Sequence, residues 1–68
     1  SIPIDVVFLH PSFLPDIWTV TSIWKGLRPW KILPVRDLTA FATLELPVGT
    51  VDRCKLEPGD ELLCTSLR

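Results

Sequence analysis

Methionine is absent, histidine occurs once and cysteine twice in the 68 residues. With Ser1 at its start, the methionine-free chain reads as a processed or excised domain, a single small β unit over 1–68. His10, Cys54 and Cys64 fall short of the four ligands of a structural zinc site, and two cysteines make no disulfide framework. No metal or other cofactor is therefore expected, and sparse cysteine points to a reducing, intracellular setting. The three glycines are isolated, which excludes a phosphate-cradling loop. No apolar run approaches the roughly 20 residues of a membrane span. Pro3 and Asp5 interrupt Ile2 to Leu9, and no basic residue precedes it, unlike a signal peptide. With a net charge of −1, nothing draws the whole chain towards nucleic acid or anionic lipid.

Apolar residues and proline are plentiful. The hydrophobic fraction is 47% and mean hydropathy is +0.34. A chain this short has much surface for its volume, so part of that apolar content stays exposed unless something covers it. A protein partner or self-association is the expectation. Seven prolines are dispersed along the chain and break up helical periodicity.

Ile2 to Leu9 is rich in β-branched residues and reads as a first strand, followed by a bend over His10 to Asp16. Ile17 to Trp24 is the strongest strand signal. Strict alternation puts Trp18, Val20, Ser22 and Trp24 on one face and Ile17, Thr19, Thr21 and Ile23 on the other, with neither face plainly solvated. Trp30 to Arg36 reads as the return strand of a meander, weakened by Pro34. Asp37 to Leu46 fits alternation better than a helical stripe and reads as a strand. Val51 to Leu56 and Glu61 to Leu67 read as a hairpin about the turn Glu57-Pro58-Gly59-Asp60, with Pro and Gly at type II positions. In one register of that hairpin Cys54 and Cys64 are opposite; otherwise they are two reduced thiols. The fold class expected is all-β: a small antiparallel barrel or rolled sheet of five to six short strands.

Catalysis has little to stand on. His10 has Ser12, Asp5 and Asp16 nearby in sequence, but a triad needs hydrogen-bond geometry rather than proximity along the chain. Cys64 sits in an apolar run suited to burial. No enzymatic activity is expected. The densest coincidence of indole, cation and turn chemistry is Trp24, Lys25, Gly26, Leu27, Arg28, Pro29, Trp30 and Lys31. Trp24, Lys25, Arg28, Trp30 and Lys31 are the candidate partner-binding residues. They suit an aromatic groove for a protein partner. The alternative is a nucleic-acid site, where bases stack on rings and cations follow phosphates.

Leu46-Pro47 and Leu56-Glu57-Pro58-Gly59-Asp60-Glu61-Leu62 stand about eight residues apart. Across Arg36 to Leu62 this spacing resembles the AbrB-type swapped-hairpin DNA-binding domain, and the resemblance implies a dimeric DNA binder. That family has a short helix between the two motifs. Here Val48 to Arg53 is β-like in composition, and Ala42 replaces the family's turn glycine.

Overall fold

The computed structural model describes residues 2–28 and 35–65. Among them the chain forms strands β1 (Ile4–Pro11), β2 (Ile17–Leu27) and β3 (Ala42–Pro47), a short helix α1 (Thr50–Cys54), and strand β4 (Glu61–Leu63). The strands make one antiparallel sheet in the order β3-β1-β2-β4, curled into a half-barrel. The all-β expectation holds at this level, with four strands found among the described residues.

β1 is central, and Asp5 to Leu9 are all buried. A strand with a neighbour on each edge and cover on both faces reads as an uninterrupted apolar run, and Val6-Val7-Phe8-Leu9 is one. β1 and β2 are joined through a tight bend. Ser12 N–H donates to the Ile17 carbonyl at 2.8 Å, and the Ser12 hydroxyl accepts the Leu14 N–H at 3.1 Å. Asp16 takes the left-handed conformation (φ 63°), which short polar side chains tolerate.

Two irregularities in β2 shape the sheet. Phe8 pairs with Ser22, but Leu9 pairs with Val20, so Thr21 is an extra residue. Because side chains alternate with period two, one extra residue exchanges the faces. Trp18 and Val20 therefore share the core face with Ile23, where strict alternation put Ile23 on the opposite side. This bulge explains why neither face of β2 looks polar in the sequence. A second extra residue falls between Trp24 and Leu27, beside Gly26 at φ 64°.

The core cluster is Val7, Leu9, Val20 and Val51, with Trp18, Ile23, Ala42, Leu44, Leu46, Leu56 and Leu62 packed around it. The alternating Ala42, Leu44 and Leu46 bear out the second half of the strand expected over Asp37 to Leu46, whereas Asp37 to Phe41 are not in a strand. Leu38, expected on that same face, lies in the preceding turn and is exposed.

The hairpin expected over Val51 to Leu67 does not form. Val51 to Cys54 are helical, and Glu61 to Leu63 pair with Ile17 to Thr19 of β2. Among the described residues, β2 pairs with β1 and, over Ile17 to Thr19, with β4. Of the return strand, residues 30–34 lie outside the described residues, and Val35 and Arg36 are not in a strand. The type II turn is present, with Gly59 at φ 94° and Asp60 N–H donating to the Glu57 carbonyl at 3.1 Å. Cys54 on α1 and Cys64 after β4 are both free thiols, not cross-strand neighbours.

Candidate functional site

Two carboxylates hold the fold's connections. Asp5 is only 1% exposed, yet both its carboxylate oxygens accept hydrogen bonds. Its Oδ1 accepts the Gly26 N–H, and its Oδ2 accepts the Gly49 and Val51 N–H groups, each at 3.0 Å. Gly49 is the N-cap of α1 and has no capping side chain, so Asp5 supplies the cap from β1. Burial works to raise the Asp5 pKa. The N–H donors of Val51, Gly26 and Gly49, helped by the Lys25 charge, outweigh it and hold the pKa below the usual 3.8.

Asp37 serves the bulge. Its Oδ2 accepts the hydroxyls of Thr21 and Ser22 at 2.6 and 2.7 Å, and its Oδ1 accepts the Thr39 N–H at 2.9 Å and the Thr39 hydroxyl. These donors, the Thr21 hydroxyl foremost, hold its carboxyl far below the ordinary range. The segment leading into β3 is thereby tied to the middle of β2.

The sequence-based site divides. Lys25 turns to an open cleft of about 560 Å³ with an apolar floor of Ile23, Val51, Leu56 and Pro58. Asp52, Lys55 and Glu57 complete its rim. Lys25 Nζ is 2.8 Å from Asp52 Oδ1, and this bond, with the attraction behind it, raises the Lys25 pKa. Trp24 does not line the cleft; it pairs with Val6 and is 46% exposed. Arg28 is exposed just past β2. Trp30 and Lys31 lie outside the described residues.

Another surface gathers residues that the sequence reading passed over. Phe13 and Leu14, at the tip of the β1–β2 bend, are 90% and 61% exposed. Phe41, 75% exposed, immediately precedes β3, and its N–H donates to the Leu9 carbonyl at 2.7 Å. Leu63, 68% exposed, pairs with Ile17, and the Cys64 N–H donates to the Asp16 carbonyl at 2.8 Å. These bonds put all four side chains at one end of the sheet, the end opposite Gly26 and Gly49. Phe41 packs edge-on against His10 at 4.8 Å between ring centroids. The signal available in the sequence was Phe13-Leu14 inside a turn, between Pro11 and Pro15, where polar residues are usual.

His10, Ser12 and Asp5 are engaged separately. His10 Nδ1 donates to the Pro11 carbonyl at 2.8 Å, Ser12 bonds within its own turn, and Asp5 is engaged at the other end of β1. Among the described residues no group of three or more His, Cys, Asp or Glu side chains is placed to hold a metal ion, and no helix is long and apolar enough to cross a membrane. No protein-family model matches the chain, and no curated protein or solved structure matches it.

Proposed function

We propose that this chain is a non-enzymatic protein-interaction module that docks through the apolar end of its half-barrel. The carrying observation is the convergence of Phe13, Leu14, Phe41 and Leu63 on one end of the sheet, all more than half exposed. Exposed apolar side chains gathered at one end of a small domain suit an interaction site, and aromatic side chains are frequent anchors there. The proposal moves the docking surface away from the stretch between Trp24 and Lys31. The free thiols of Cys54 and Cys64 fit an intracellular, reducing setting for it.

The second reading, a nucleic-acid-binding domain, has one observation in its favour. α1 occupies the place where the AbrB-type pattern has its short helix. Against it, the Lys25 ammonium is engaged by Asp52, and Trp24 stands apart from the cleft that Lys25 lines.

The test uses the chain as bait, immobilised as wild type, Phe13→Asp or Trp24→Ala. The proposal expects Phe13→Asp to lose the specific protein prey, labelled copies of the chain included, and Trp24→Ala to keep it. Loss with Trp24→Ala alone, or prey that exchanges for oligonucleotide, would move the site back to the Trp24 stretch.

A further inference from the structure

We propose that the cleft beside Lys25 is a binding site for a short apolar peptide with both termini free. Such a di- or tripeptide lays its side chains on the apolar floor and its two charges on the rim. The cleft is separate from the apolar end, and the proposal stands or falls without that reading.

Shape is the first argument. Ile23 of β2, Val51 of α1, and Leu56 and Pro58 beyond it floor a cleft of about 560 Å³. Ligand sites commonly measure about 300–1,000 Å³ and combine an apolar lining with a few polar groups. A floor of four apolar side chains has room for more than one side chain of a ligand. It is also held in place before anything binds. Val51 is 2% exposed and its N–H donates to Asp5, while Ile23 packs on the core cluster. Lys55 ends α1 in the left-handed conformation (φ 55°), its N–H donating to the Asp52 carbonyl at 3.2 Å. The Leu56 N–H donates back to the Val51 carbonyl at 3.0 Å. That closure turns Lys55 to Pro58 along the cleft, and a preformed site has less to order on binding.

Charge is the second argument. The rim carries Lys25, Asp52, Lys55 and Glu57. Lys25 and Asp52 are paired at 2.8 Å and neutralise each other. The side chains of Lys55 and Glu57, two residues apart, make no hydrogen bond or ion pair with any described residue. One cation and one anion are thus left for a ligand. A carboxylate alone would meet Lys55 with Glu57 and Asp52 close by, and an amine alone would meet Glu57 beside two lysines. A ligand that carries both charges satisfies both side chains and is repelled by neither. The two termini of a peptide are such a pair, and apolar side chains between them match the floor.

The experiment is a titration of the 68-residue chain, followed by amide chemical shifts, with leucyl-leucine, its N-acetyl form, its C-terminal amide, and leucine. Leucyl-leucine should bind saturably, at roughly millimolar concentration for so open a site, and move Ile23, Val51 and Leu56 but not Phe13. Exposed ion pairs are weak, so capping either end should cut affinity about two- to fivefold. Lys55→Gln should weaken leucyl-leucine by the same factor and leave the affinity of the amide unchanged. Glu57→Gln should weaken it likewise and leave that of the N-acetyl form unchanged. Phe13→Asp should bind leucyl-leucine as the wild type does. No saturable shift at any concentration overturns the proposal, as does binding indifferent to capping or to both glutamine variants. Sensitivity to one cap alone would make the ligand a simple acid or amine, and overturn it too. Leucine binding as tightly as the dipeptide would make this a site for a free amino acid and end the peptide assignment. Shifts centred on Phe13, or binding lost with Phe13→Asp, would move the ligand to the apolar end and leave the cleft without one.

Discussion

Asp5 and Val51, 46 residues apart, are joined by a 3.0 Å hydrogen bond from the Val51 N–H to the Asp5 carboxylate. One buried anion thus holds the start of α1 and, through Gly26, the end of β2. Leaving buried donors unsatisfied costs about 1–3 kcal/mol for each group. Asp5→Asn retains one acceptor oxygen but turns an amide NH2 towards at least one N–H. It should lower stability in urea by about 2–3 kcal/mol. Asp5→Ala should cost more.

The pH dependence follows from two lowered carboxyl pKa values. Asp5 and Asp37 both titrate below 3.8 in the folded chain. The unfolded chain therefore takes up protons first as pH falls. Their contribution is complete above the unfolded value near 3.9 and is lost as pH drops through the folded values. Urea midpoints should hold steady from pH 7 to 5 and then decline. Asp37→Asn should make that decline shallower. An unchanged acid limb in the variant would remove Asp37 from the account.

Trp18 and Trp24 should behave differently despite sharing β2. Trp18 packs on the core cluster, whereas Trp24 is 46% exposed. Trp18→Ala should destabilise by about 2–4 kcal/mol, somewhat below a fully buried tryptophan. Trp24→Ala should cost under about 1 kcal/mol. Equal losses would mean that the face exchange at Thr21 is wrong.

A fluorescence titration with oligonucleotides at low and moderate salt addresses the alternative function. The Lys25–Asp52 pair and the nearby acids Glu57 and Asp60 offset the local cations, so no saturable quenching of tryptophan emission is expected at low salt. Quenching that saturates and weakens steeply with salt would put nucleic acid first.

Much of the sheet was legible in local sequence. β1 follows from its apolar run, β3 from Ala42, Leu44 and Leu46, and the turn at Pro58-Gly59 from its residue types. α1 was not legible, because Val51 and its neighbours favour strand and the cap comes from Asp5 in another element. The bulge at Thr21 concealed the period of β2. As for the site, Trp24 and Lys25 are adjacent in sequence, yet only Lys25 lines the cleft. The apolar end draws on residues from three separate stretches, which only the sheet register brings together.

The central claim, that the molecule docks through the Phe13 end, is tested most directly by amide chemical shifts recorded before and after adding the protein prey that the wild-type bait captures. The account predicts shifts at Phe13, Leu14, Phe41 and Leu63, and constant positions at Lys25 and Asp52. Shifts confined to Trp24, Lys25 and Asp52, or no prey captured by the wild type, would contradict it.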